Sequence, residues 1–401
     1  MCKKFPFPLR DGESIAIHNL STALVGEGCE VSLLAMNTTK HFVDLSKIND
    51  QCNHYHEIHT IDVDNRIKVL DAFLNLFTSE SYHVSRFVSS EYQKKLSELL
   101  LQNRYDIIQL ETMYLTPYVK TIRDLSNAKI VLRSHNIEHE IWDRITNNTG
   151  SILKKQYLNY LTGKLQKYEL KNLNSYDSII TVSSRDLEIF KNLGFKKPGI
   201  SIPIGLRLDE YPFNKGDLDD SGVRKVCFIG AMDWIPNREG LLWFLKDVWS
   251  DLIGIFPFLE LNIAGRNTDK DLMNIDIPNC IHHGEVESAI SFISSHHIMI
   301  VPLLSGSGTR VKILESLALG VPVISTSIGY EGIALNDRKE VLKADTKEEF
   351  INAFKEIIDH EVSRNEVVEN GRQHVNTYYN HVLSGKKLKQ HYEEILSITQ
   401  S

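Results

Sequence analysis

Short runs rich in valine and isoleucine alternate, along nearly the whole chain, with longer stretches whose apolar residues recur at three- and four-residue spacing. A run such as "AKIVLRS" (128–134), apolar at consecutive positions, suits a strand covered on both faces, and the helical patterns between such runs supply the covers. This alternation restricts the chain to α/β architecture built on parallel sheets. "VSLLAM" (31–36), "YDIIQLE" (105–111), "AKIVLRS", "YDSIITVS" (176–183) and "GISIPIG" (199–205) predict the strands of a first domain. A polar stretch with Pro, Gly and clustered acids, "LRLDEYPFNKGDLDDSG" (206–222), reads as a linker. The alternation then restarts with "KVCFIGAM", "LELNIAG", "NCIHHGEV", "IMIVPLL", "VPVIST" and "EVLKAD". Domains are therefore expected at 1–205 and 223–380, with a helix over 381–401 packing back toward the first. Ligands in such sheets bind beyond the carboxyl ends of the strands, so the two domains are expected to face a shared cleft.

At 401 residues the chain is long for one core and suits two. Its net charge of −7 argues against a dedicated nucleic-acid binder. Five scattered cysteines include no C-x-x-C pair, which fits a reducing cytosol. No apolar run is long enough to span a bilayer, and "MCKKFPFPLRDGE" has no signal-peptide core, so a cytoplasmic location is expected.

The most telling segment is "SGSGTRVKILESLALGVPVIST" (305–326), a glycine-rich, hydroxyl-bearing loop ahead of a helix expected from Thr309 to Leu319. A helix N-terminus offers unpaired N–H groups and partial positive charge, and Gly306 and Gly308 let a ligand approach the backbone, so phosphate is the natural guest. Arg310 and Lys312 stand in the first turn, where cations oppose the helix dipole, and are therefore expected to serve a ligand. Glu315, one turn on, suits a pair of vicinal hydroxyls such as a ribose carries. A dinucleotide fingerprint would need glycine where Val311 stands, and no P-loop motif occurs.

"VPLLSGSGTRVKILESLALGVPVISTSIGYEGI" resembles the donor-binding segment of retaining GT-B glycosyltransferases of family 4, a group with many bacterial polysaccharide and glycolipid enzymes. Collinear similarities lie in "FPFPLRDGESIAIHNLSTALVGEGCEVSLL", "VLRSHNIE", "VSSRDLEIF", "IPIGLRLDEYPF", "FIGAMDWIPNREGLLWF" and "LNIAGRN". The resemblance implies a GT-B fold, two Rossmann-like domains with a helical C-terminal segment. It also implies transfer of a hexosyl group from a nucleotide diphosphate sugar to a saccharide or lipid-linked acceptor, with retention. Glu315 corresponds to the second glutamate of the family's E-x7-E motif; the first falls on Ser307, so Ser307, Gly308 and Thr309 would supply hydroxyl and N–H contacts instead. The family often carries an Arg and a Lys after the first strand of this domain, where Ala231 and Asn237 stand, and Arg310 with Lys312 would take over neutralising the diphosphate. Gly230, Asn237, Arg266 and Val286 complete the implied donor set, and His135 at the end of "AKIVLRS" would bind the sugar. Asp11, Gly12 and His18 are implied on the acceptor side, with Glu13 in place of the family's second glycine. No metal or cofactor is implied, since protein cations would stabilise the leaving group and no D-x-D triplet occurs. The family begins with an apolar strand before "FPFP", where only "MCKKF" stands, so a truncated first strand is expected.

A sugar nucleotide epimerase of the same fold and a non-catalytic nucleotide sugar binder remain as alternatives. His54, His56 and His59 cluster, but no partner completes a metal-ligand set and they are read as structural; Arg133, Glu138 and His139 are read the same way. The basic helix pattern "ILKKQYLNYLTGKLQKYELKNL" and the charge asymmetry, 25 basic against 23 acidic residues up to residue 200 and 20 against 29 after it, point to peripheral contact with anionic lipid at the inner face of the cytoplasmic membrane.

Overall fold

A computed structural model describes residues 1–9, 11–45, 52–66, 68, 75, 78, 80–147, 149–213, 224–268, 277–306 and 308–398. Two compact units form: Met1–Gly205 together with His381–Ser401, and Leu206–Asn380.

In the first unit β1 (Leu33–Thr38) and β2 (Ile58–Val63) pair in parallel, and β3 (Ile107–Leu110), β4 (Lys129–Ser134), β5 (Ser178–Thr181) and β6 (Gly199–Ser201) form a parallel sheet in that order. Strand β2 falls on the histidine-bearing stretch, whose polar residues hid it from the sequence reading; His59 there lies against Glu57 at 2.9 Å. The first two residues join the two sheets. Cys2 N–H donates to Leu34 O at 2.9 Å and Met36 N–H to Cys2 O at 3.0 Å, while the Met1 ammonium donates to Gln109 O at 2.7 Å and Glu111 N–H to Met1 O at 3.0 Å. Leu20 and Leu24 of the helix Gly12–Gly26 pack with Val131 and Ile180 of the sheet, with Ile202 just past β6, and with Leu388 and Ile395 of the helix His381–Ser397. The last helix thereby completes this unit's core. Ser178 Oγ and His391 Nε2, 2.7 Å apart, add a buried polar link.

The second unit holds one six-stranded parallel sheet of β7 (Arg224–Ile229), β8 (Leu259–Ala264), β9 (Cys280–Gly284), β10 (Ile298–Val301), β11 (Val323–Ser325) and β12 (Leu342–Lys343). The spatial order β9-β8-β7-β10-β11-β12 is the doubly wound order, in which the chain reverses direction across the sheet between β7 and β10. Phe228, Phe244, Trp249, Phe350 and Phe354 are fully buried in the core beneath it. The helix Ile235–Trp243 runs on through a π segment, Phe244–Trp249, into Ser250–Ile255. The helix Lys347–Asp359 begins with both reciprocal bonds of the Thr346–Glu349 capping box.

The opening of the supposed linker belongs to the second unit. Leu206 is fully buried, its N–H donating to Tyr379 O at 2.6 Å, Leu208–Glu210 form a helical turn, and Tyr211 is buried. The buried residues of this run are Leu206 and Tyr211. Residues 214–222 lie outside the described residues. No described helix is long and apolar enough to cross a membrane.

Candidate functional site

In a doubly wound sheet the loops after the two strands flanking the reversal diverge and leave a crevice at their carboxyl ends. Here those loops are Gly230–Trp234 after β7 and the segment 302–310 after β10. The first closes on itself through Asn237, whose Nδ2 donates to Ala231 O at 3.0 Å. A Cβ on Gly265 would stand 1.9 Å from Gly230 O, so the turns after β7 and β8 touch backbone to backbone. In the second loop Gly306 and Gly308 hold φ of 118° and 85°, conformations that side chains disfavour. That turn lies against Pro236 at the start of the neighbouring helix, and Ser305 Oγ reaches Glu239 Oε2 at 3.4 Å.

The helix opens at Val311, two residues later than the sequence suggested, with Arg310 as its cap residue. Arg310 is buried and its Nη1 donates to Gly308 O, so it braces the loop. Lys312 turns inward as well. Its Nζ donates to Ile229 O at 2.8 Å and to Asn237 Oδ1 at 3.2 Å, and it lies over the Phe228 ring at 4.7 Å. Burial, with Arg310 adding to it, pushes the Lys312 amine down to about 7. Both cations are built into the carboxyl ends of β7 and β10, and Lys312 meets Asn237.

Glu315 is 7% exposed and accepts a hydrogen bond from Tyr211 Oη at 3.0 Å. Burial raises its carboxyl, and Tyr211 works against that rise. Arg372 secures the tyrosine by donating to Tyr211 O at 3.1 Å and also donates to Ala318 O. Tyr211 went unnoticed in the sequence, where an aromatic within an acidic run is its one local sign. Of the remaining implied donor residues, Thr309, Arg266 and Val286 are half-buried, and Arg266 O accepts from Met232 N–H at 2.9 Å. Ser307 lies outside the described residues.

In the first unit His135 follows β4, and its Nε2 stands 3.0 Å from Glu111 Oε2. Glu111, which follows β3, is buried and also receives Arg133 Nη1 at 3.1 Å. Burial alone would raise this carboxyl, but Arg133, His135 and the N-terminal ammonium together bring it down to about 2. Arg133, 1% exposed, also donates to Ala16 O at 3.2 Å and is a structural brace. Glu111 was visible only as an acid ending a strand-like run. Glu138 accepts from Tyr114 Oη at 2.9 Å, and His139 Nδ1 stands 2.5 Å from Glu169.

The implied acceptor residues gather around the start of the first helix. Asp11 caps it by accepting from Ser14 N–H at 2.9 Å and pairs with Lys4 at 2.7 Å, so it already has a structural task. Gly12 opens the helix and is half-buried, and Glu13 lies 3.5 Å from both Lys3 and Lys4. His18 is buried, edge-on to Phe7 and to His54, and so belongs to an aromatic stack. Among the described residues no group of three or more His, Cys, Asp or Glu is arranged to hold a metal ion.

Residues 223–360 match the family model described as glycosyl transferases group 1. An uncharacterized 44.6 kDa protein in the cps region of Klebsiella pneumoniae is 28% identical over 262 residues, which is 63% of this chain and 65% of the relative. The match thus spans slightly less than two thirds of that relative's length. Sucrose-phosphate synthase from Thermosynechococcus elongatus is similar in structure over 97% of this chain and 94% of its own, with a TM-score of 0.67 at 16% identity. The Anabaena protein HepE, solved in complex with UDP-glucose, is similar over 98% of each chain, with a TM-score of 0.66 at 10% identity. The fold is GT-B, and residues 223–360 are similar to the glycosyl transferases group 1 family.

Proposed function

We propose that this protein is a glycosyltransferase that moves a hexosyl group from a nucleotide diphosphate sugar to a saccharide or lipid-linked acceptor, with retention, in polysaccharide or glycoconjugate biosynthesis. One observation carries the reading: Lys312 brings a cation to Asn237 at the carboxyl end of β7, where that strand's own loop has none of the family's diphosphate-binding cations. The family match over 223–360 and the UDP-glucose complex of a protein with this fold support the same conclusion.

In the proposed reaction the bond between the anomeric carbon and the diphosphate oxygen breaks. A bond forms from that carbon to an acceptor hydroxyl oxygen, and the hydroxyl proton passes to the departing diphosphate. Negative charge grows on the leaving oxygen, and preorganised cations and N–H dipoles lower such a barrier by about 3 kcal/mol for a single donor. Arg310, Lys312 and the amides of Gly308 and Thr309 fill that role, and Glu315 holds the ribose hydroxyls. With two cations already in place, the reaction is proposed to need no metal. His135 is assigned to the transferred sugar. Glu111 fixes its protonated Nε2, leaving Nδ1 to accept from a sugar hydroxyl. Acceptor recognition is assigned to the segment around Asp11, Gly12 and His18.

The test is release of UDP or GDP from a panel of sugar nucleotides, with and without lipid extract, with products weighed by mass spectrometry. Acceptor-stimulated release with a mass-shifted acceptor is expected. An isomerised sugar nucleotide would replace transfer by epimerisation, and tight binding without turnover would leave a nucleotide sugar binder.

A further inference from the structure

We infer that the exposed face of the helix Ile152–Asn172 is a docking surface for an anionic lipid bilayer. Between Asp143 and Glu169 the chain carries five cations, Arg144, Lys154, Lys155, Lys164 and Lys167, and no acid. Glu169 itself is buried against His139 and does not offset that charge at the surface. The helix packs through Leu161, Thr162, Leu165 and Glu169, which defines its inward side. At 3.6 residues per turn Leu153, Tyr157 and Tyr160 fall on one line away from that side, and Lys167 and Lys171 continue the line toward the C-terminus.

The tip of this face is apolar. Ile152 and Leu153 are 75% and 81% exposed, Tyr157 and Tyr160 are 37% and 45% exposed, and Lys154, Lys167 and Lys171 are exposed beside them. Two other cations are committed within the fold: Arg144 stands 3.8 Å from Glu140, and Lys164 donates to Asn75 O. Adjacent apolar side chains at a helix start protrude, so a rigid protein partner would need a matching pocket. A bilayer interface takes such a tip without one. Tyrosines favour the headgroup level, and lysines behind them meet anionic headgroups, with each contributing about fivefold to partition. The charge selects the sign of the surface and the tip selects a surface with an apolar interior. This inference concerns location alone and stands or falls separately from sugar transfer.

Sedimentation of the full chain with phosphatidylcholine vesicles, with and without phosphatidylglycerol, tests it. Pelleting is expected only with phosphatidylglycerol and is expected to fall with added salt. Ile152→Asp/Leu153→Asp alters side chains that already face solvent, so circular dichroism should be unchanged while partition weakens by at least about tenfold. Lys167→Glu/Lys171→Glu should flatten the salt dependence. The inference is overturned if phosphatidylglycerol confers no pelleting, or if the double aspartate variant pellets like the parent. Equal retention of parent and aspartate variant by heparin, with no vesicle binding, would reduce the face to a general polyanion site. Loss of a dimer in the aspartate variant on gel filtration would assign the tip to a second copy of the chain.

Discussion

Replacing Tyr211 by Phe removes one oxygen and leaves the buried ring in place. That oxygen donates to Glu315 Oε1 at 3.0 Å, and the carboxyl it serves is 7% exposed. A hydrogen bond to a charged group contributes about 1.5–3 kcal/mol, which converts to between about tenfold and about a hundredfold in affinity if the ribose contact depends on it fully. Burial already raises the Glu315 carboxyl, and loss of the tyrosine donor raises it further. On acidification the variant should therefore lose nucleotide affinity at a higher pH than the parent. Calorimetric titration with the nucleoside diphosphate chosen by the release panel provides the assay, run on the parent, Tyr211→Phe, Glu315→Ala and the double variant. Groups acting as a unit do not add, so the double variant should bind no more weakly than Glu315→Ala. Parent-like affinity in Tyr211→Phe, or full additivity in the double variant, would refute the coupling and with it the assignment of Glu315 to the ribose.

Five further outcomes are expected. Lys312 loses its charge as pH rises through about 7, so nucleotide affinity should weaken across that range, and Lys312→Arg should hold affinity to higher pH; a flat profile in the parent would contradict this. Because this amine is depressed on folding, its cost to the unliganded protein is fully present below about 7 and fades as pH climbs toward the ordinary lysine range, which denaturant titrations would follow. Gly265→Ala drives a Cβ into Gly230 O and should lower stability by about 1–3 kcal/mol or more in denaturant unfolding, without touching the first unit. Burial lowers the His139 imidazole, but Glu169 outweighs it and leaves the group raised, so the pair's stabilisation is complete below the usual imidazole range and lost as pH rises through the raised value. The stability gap between the parent and His139→Gln should accordingly narrow from acid to mildly alkaline pH. Glu111→Gln breaks a buried contact with Arg133 and should cost about 3–5 kcal/mol in unfolding, while the nucleotide affinity assigned to Glu315 is kept.

Much of the framework was legible locally. The apolar runs marked β7 and β10 because a fully covered strand needs consecutive apolar residues, and Thr346 with Glu349 announced a helix because the capping bonds span only three residues. The glycines at 306 and 308 likewise marked a turn that bulkier residues would resist. Strand β2 escaped because its residues are mostly half-exposed and polar, so it leaves no apolar run to read.

What the sequence settled was short in range: element types, the α/β class, and the glycine turn at 306 and 308. Tertiary structure decided the partners. Tyr211 meets Glu315 across 104 positions, Lys312 reaches Ile229 across 83, and Met1 and Cys2 join two sheets through strands more than thirty and a hundred residues away. The physical reason is that periodicity and capping depend on neighbours along the chain. Which buried carboxylate finds which hydroxyl, and where a lysine sheds its water, depends on the order in which strands assemble side by side.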